Sequence, residues 1–160
     1  MFFTKKDEIK ELKKWHVIVL VAMLVATIGL RIYYARWPKA KIVVGGQPLT
    51  VLVADTFQRR VEGWSDKKRM GNYDGMLFVF SEKGEHTMVM RDMYFSLDIL
   101  WVDEGKIVDI AANAQPERGR LEEGLTPYIP RAPATLVIEL PAGFVEKNGV
   151  KIGDSITILD

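Results

Sequence analysis

The chain has 160 residues, of which 48% are apolar and 27% charged, with 22 Lys/Arg against 21 Asp/Glu and no Cys. That length and composition fit one packed domain with an appendage and exclude general disorder. The lack of Cys excludes disulfides, zinc-thiolate sites, iron–sulfur clusters and cysteine nucleophiles.

The net charge of +1 hides an asymmetry. Residues 1–37 hold seven Lys/Arg and three Asp/Glu, whereas residues 38–160 hold 15 and 18. The folded part is mildly acidic, which argues against nucleic acid as a partner, because phosphate binding shows as a basic patch on the domain.

Residues 1–14 read as a basic tail. Val17–Leu30 is apolar apart from Thr27 and Gly29, and Trp15–Tyr34 extends the run to 20 residues. Such a helix rises about 30 Å, the thickness of a bilayer core. His16 and Arg31 stand where side chains snorkel, and Trp15, Tyr33, Tyr34 and Trp37 suit interfacial belts. A cleaved signal peptide would want an A-x-A-like site after the run, and a buried core helix would show a polar face; neither is present. The expectation is a transmembrane helix or signal anchor over 15–34 and a linker over 35–40. Lys5, Lys6, Lys10, Lys13 and Lys14 precede the span, against Arg31, Arg36, Lys39 and Lys41 after it. The positive-inside rule then places the N-terminus in the cytoplasm and the domain outside.

Residues 41–160 are expected to form one soluble β-rich domain. Lys41–Val44 and Leu49–Ala54 flank Gly45-Gly46-Gln47-Pro48, a hairpin signal, since Gly-Gly supplies the positive φ angles of a tight turn. Asp55 with Gln58 predicts a short helix over 56–62, stopped by Gly63. Gly75–Phe80 reads as a strand, Ser81–Glu85 as a turn and 86–91 as another strand, with His86, Met88 and Met90 on one face. Leu97–Val102 and Ile107–Ala112 form a second hairpin around Asp103-Glu104-Gly105. Residues 113–132 read as a long surface loop. Thr135–Leu140 and Ser155–Leu159 complete the sheet, with a helical turn over Ala142–Lys147. The fold class expected is mostly β (β-rich α+β): a compact small barrel or sandwich of seven or eight short strands with one or two short helices.

Gly75-Met76-Leu77-Phe78-Val79-Phe80, Met90 with Leu97-Asp98-Ile99, Ala134 followed by Val137-Ile138-Glu139-Leu140-Pro141-Ala142-Gly143, and Gly153-Asp154 stand in one order along the chain. With Arg60, Gly63 and Tyr128 they resemble the family called domain of unknown function 192 (DUF192), over roughly residues 48–159. The resemblance implies a compact, mostly β domain, often behind a signal or anchor segment, and no established activity. The chain departs from the family pattern at named places. Trp64-Ser65 stands where Leu-Met is usual, Val89-Met90-Arg91-Asp92-Met93 where Trp-Met-Lys-Asn-Thr is usual, and Ser96 where a Pro is usual.

There is no G-x-S-x-G, G-x-x-x-x-G-K-[ST], H-E-x-x-H or G-x-G-x-x-G motif, so no catalytic residue, metal or cofactor is assigned. Asp98 lies in an apolar strand and must be paired, hydrogen-bonded or protonated. Its bland account is an ion pair with Arg60 or Arg91, or an acceptor for loop amides; its functional account is a polar group at the base of a pocket. Alternation puts Glu139 opposite Ile138 and Leu140, on a solvated edge. His86, Met88 and Met90 are soft ligands of the kind that take Cu(I), or else two core fillers and a surface His. Arg118, Arg120 and Arg131 with Tyr128 suit an anionic or sugar-like ligand, or a solvated loop.

The expected function is a non-catalytic binding or interaction module, held at the membrane through residues 15–34. Its partner would be a small ligand, an envelope polymer or a protein, and its ligand-binding residues Arg60, Met90, Arg91, Asp98 and Tyr128. The alternatives are a hydrolase or transferase using Asp98 and Glu139, and a Cu(I)-binding domain using His86, Met88 and Met90.

Overall fold

The structure, a computed structural model, describes residues 14–159, with the backbone alone over 32–35. The basic residues Lys5, Lys6, Lys10 and Lys13 and the side chains of Tyr33 and Tyr34 lie outside the described residues. The chain divides into two units, Met1–Arg36 and Trp37–Asp160.

In the first unit, α1 runs from Lys14 to Ala35. Its 22 residues rise about 33 Å, enough for a hydrocarbon core of about 30 Å. The window Lys14–Arg31 has a mean hydropathy of 1.6, and none of it is buried. Apolar side chains run round the whole circumference, from Val17, Ile18 and Leu20 to Ile28 and Leu30. The Thr27 hydroxyl donates to the carbonyl oxygens of Met23 at 2.9 Å and Leu24 at 2.8 Å. That side chain is therefore satisfied within the helix, as lipid would require.

The second unit opens with a hairpin of β1 (Lys39–Val44) and β2 (Gln47–Ala54). Gly45 and Gly46 turn it with φ of 56° and 75°, angles that favour glycine. The pairing already includes Pro38, whose carbonyl accepts from Val53 N at 2.8 Å, so the expected linker over 35–40 gives way to sheet before its end. Trp37, expected at a membrane interface, is half-buried against the hydrophobic cluster of this unit.

Helix α2 (Phe57–Glu62) follows. Its cap is Thr56 rather than Asp55: the Thr56 hydroxyl accepts from Arg59 N at 3.3 Å, while Asp55 pairs with the Arg59 side chain at 2.6 Å. Gly63 ends the helix as expected, with φ of 45°. The remaining strands are β3 (Gly75–Gly84), β4 (Leu97–Asp103), β5 (Lys106–Ala114), β6 (Ala134–Pro141) and β7 (Thr157–Leu159). A 3-10 turn spans Glu122–Gly124, and α3 spans Phe144–Asn148.

These seven strands form one curled sheet, a half-barrel, in the order β5-β4-β6-β3-β2-β1-β7. Only β2 and β3 pair in parallel, because the connection through α2 returns the chain to the end where it began. The two edges meet at one end, where Ile107 N donates to the Asp154 carbonyl at 2.9 Å and Ile156 N to the Gly105 carbonyl at 2.8 Å.

Alternation divides the side chains between two faces. On β4, Leu97, Ile99 and Trp101 join one cluster, and Leu100 and Val102 the other. The second cluster fills the concave side, with residues from β1 to β6 such as Ile42, Val51, Leu77 and Ile138. The first covers the convex side, where Trp64, Met88, Met90 and Met93 come from connections lying over the sheet.

Residues 86–91 are one of those connections, and not the strand expected from their alternation. Their backbone pairs with the 113–132 loop instead: Met88 and Tyr128 exchange two hydrogen bonds of 3.0 and 2.8 Å, and Glu117 N donates to the Met90 carbonyl at 3.1 Å. The alternating Met residues face down because they roof the convex cluster. β3 also runs on through the expected turn, to Gly84.

Candidate functional site

The roof and the convex sheet face leave a cavity of about 340 Å³ between α2, residues 63–65 and residues 87–93. Its walls are largely apolar, with Phe57 and Val61 from α2, Phe78 and Phe80 from β3, and Met88, Val89 and Met93 from the roof. Arg60, Trp64, Ser65, Arg91 and Glu139 supply the polar groups.

α2 sets Arg60, which donates to the carbonyl oxygens of Val79 at 3.0 Å and Asp55 at 3.2 Å. Its guanidinium stands over the Phe80 ring at 5.1 Å. Arg91 donates from Nη2 to Glu122 at 2.8 Å, and its main-chain carbonyl accepts from the Ser65 hydroxyl at 3.0 Å. The Nε–H of Arg91 is buried without an acceptor. So is the indole N–H of Trp64, a residue only 2% exposed whose ring meets Phe95 edge-on at 6.0 Å. Within the described part of the second unit, these two are the buried side-chain nitrogens left unpartnered, and both residues line this cavity.

Glu139 is only 4% exposed, and no described residue hydrogen-bonds its carboxyl. Burial alone pushes it up to about 8. At neutral pH it is a carboxylic acid that can both donate and accept. The expectation that it faces away from Ile138 and Leu140 holds. The expected solvated edge does not, because the roof covers that face.

The five residues expected to bind ligand do not converge. Arg60 and Arg91 meet at the cavity. Met90 is fully buried in the convex cluster. Tyr128 is half-buried in the loop, beside a shallow depression with Trp101, Asp109 and Arg131. Asp98 faces the concave side, where it lines a separate depression with Asn113, Gly143 and Glu146 and also holds the local fold. It accepts from Asn113 N at 2.8 Å and from Val145 N at 2.8 Å. Val145 is the second residue of α3, whose N-cap Gly143 has no side chain, so Asp98 caps that helix from a distant strand. Asp98→Ala strips the acceptor from two part-buried amides, and urea titration is expected to show a loss of roughly 2–4 kcal/mol. A loss under about 1 kcal/mol would mean the amides are served by water.

Asp98 and Glu139 also fail as an acid/base pair. Asp98 is opposite Leu140 and Ile99 opposite Glu139 in the register, so alternation sends the two carboxylates to opposite faces. His86 stacks on Phe80 with ring centroids 3.5 Å apart and lies 2.9 Å from the Glu82 carbonyl through Nε2, while Met88 and Met90 are buried. The common strand face that grouped these three as copper ligands is absent with the strand.

The 113–132 loop owes its order to two carboxylates. Glu117 accepts from Thr126 N at 2.8 Å, its hydroxyl at 2.8 Å and Arg120 at 2.7 Å. The Thr126 amide is the main cause holding that carboxyl below its ordinary range. Asp109 binds the Arg131 side chain and accepts from Arg131 N at 2.7 Å, and the Arg131 guanidinium lowers it likewise.

The DUF192 family model, described as Uncharacterized ACR, matches residues 40–158. No curated protein matches the sequence. Among solved structures, a Sinorhizobium meliloti 1021 protein given a provisional role as a transcription regulator is 30% identical, with a TM-score of 0.68. The alignment covers 78% of this chain and 96% of that one. A protein of unknown function from Novosphingobium aromaticivorans DSM 12444 is 24% identical with a TM-score of 0.62, over 76% of this chain and 84% of that one, a likeness of fold. The family match spans nearly the whole second unit, and the chain belongs to the DUF192 family.

Proposed function

We propose that this chain is a membrane-tethered binding module that takes a small ligand into the cavity beneath Trp64. The observation that carries the reading is that Trp64 and Arg91, the residues of the second unit with an unmet buried nitrogen among those described, both line one apolar cavity. A buried donor without an acceptor costs about 1–3 kcal/mol, and folds rarely tolerate two unless something completes them. A volume of about 340 Å³ lies at the lower end of small-molecule sites. The tether rests on the length and all-round apolarity of α1. A DNA-binding role is not adopted from the Sinorhizobium protein, since residues 38–160 hold 15 basic against 18 acidic side chains.

The test uses the intact chain in lipid nanodiscs, titrated with small aromatic and aliphatic fragments and followed by NMR. Fragments that bind are expected to move the Trp64 indole N–H, identified by its loss in Trp64→Phe, together with the Met88 and Met93 methyls. Binding that moves only Tyr128 and Ile129 refutes the cavity. For the tether, the chain is expected in the membrane pellet after salt and alkaline washes. Recovery of the intact chain in the aqueous fraction refutes it.

A further inference from the structure

We propose that the ligand is a small organic monoanion: a carboxylate on an apolar body, held by the Arg91 Nε–H and the Trp64 indole N–H. This rests on the cavity being the binding site. The unmet side-chain nitrogens are both donors, so the missing group must be rich in acceptors. A carboxylate offers two oxygens, and hydrogen bonds to an ionised acceptor are the stronger kind. The buried acid of Glu139 adds an O–H donor at the same cavity.

The charges agree. Arg60 donates to two carbonyl oxygens and to no carboxylate among the described residues. The acidic partner of Arg91 is Glu122, whose side chain is 65% exposed; counted formally, Arg60 and Arg91 against Glu122 leave one positive charge unmet. Glu62, on the rim, already pairs with Lys67 at 2.6 Å. The site is thus short of one negative charge rather than two. The three donors would serve either a carboxylate or a phosphoryl group; the charge separates them, because a phosphate monoester carries about 1.5 to 2 negative charges at neutral pH. Phe78, Met88 and Met93 supply the apolar wall against which the rest of the molecule lies.

The experiment titrates the intact chain in nanodiscs with 3-phenylpropanoate, 3-phenylpropanamide, 3-phenylpropylamine and phenethyl phosphate, reading the Trp64 indole signal. The carboxylate is expected to bind at least about tenfold more tightly than the other three, because only it carries the single negative charge the site lacks. Arg91→Gln is expected to weaken it by about tenfold or more, since the donor and the charge go together. Glu122→Gln, which frees Arg91 from its exposed partner, is expected to keep or tighten binding. It supplies the same test should Arg91→Gln fail to fold. Equal or tighter binding of the amide, amine or phosphate, with the Trp64 signal moving, overturns the anion while leaving the cavity. Weaker binding in Glu122→Gln also overturns it. If none of the four probes moves Trp64, the cavity reading goes with it.

Discussion

Glu139→Gln is expected to abolish a fall in stability that the parent chain shows between about pH 4.5 and 8. The carboxyl titrates near 8 in the fold, against an ordinary 4.5, because burial disfavours its charged form. Between those values the folded chain keeps a proton that the unfolded chain has released. Stability therefore decreases as pH rises through the window, is fully present below it and levels off above it. The span corresponds to a loss on the order of 5 kcal/mol, a large share of what holds a small domain together. Gln has the same shape and cannot ionise, so the variant should be the more stable protein at pH 9 and nearly equal to the parent at pH 4.5. Urea midpoints at pH 5, 7 and 9 measure this. A parent whose midpoint stays level or climbs over that range would show that Glu139 is not held as the acid. Asp109 and Glu117 do not blur the result, because both are held low and lose their contribution only as pH falls below the ordinary carboxylate range.

Gly75→Ala is expected to be among the most damaging single changes in the domain. A Cβ at Gly75 would lie 2.3 Å from the Glu139 carbonyl oxygen and 2.7 Å from a methyl of Leu140. The first contact is with backbone, which cannot swing aside, so β3 and β6 would have to part where Met76 pairs with Glu139. Overpacking of this kind costs about 1–3 kcal/mol in a core, and forcing a sheet ladder apart adds lost hydrogen bonds. Gly46→Ala is the control: nothing lies within 4 Å of a Cβ there, and only its φ of 75° resists. It should cost about 1 kcal/mol. Chemical denaturation of both variants, with amide exchange along β6, checks the contrast. Equal losses at the two positions would mean that the sheet yields freely at Gly75.

Much of this architecture was legible from local chemistry. The Gly45-Gly46 hairpin, the stop at Gly63 and the apolar runs of β3, β4 and β6 depend on neighbours in sequence, and the seven strands fall within the expected number. What escaped depends on distant parts of the chain. Residues 86–91 alternate like a strand, yet what decides their fate is a roof over Met76 and Phe78 and pairing with Tyr128. The capping role of Asp98 was not visible because its partner amide, on Val145, is 47 positions away. Glu139 looked solvated because nothing nearby in sequence says that a roof covers its face.

Trp64 left one signal, as a departure from the family pattern. Ser65, Val89, Arg91 and Met93 are departures too, and all five line the cavity. A relative with the usual residues at those positions would present different walls, so a ligand found for one DUF192 protein does not transfer to this one without checking them.

The pairing of β1 with β7 sets the timing of assembly. β1 is among the first segments of the domain to leave the ribosome, and the strand that covers its outer edge leaves at the far end of the same domain. Until then the nascent hairpin carries a naked strand edge, open to pairing with another chain. Folding that waits for so remote a contact is slow, and the hairpin edge stays open to mispairing during that interval.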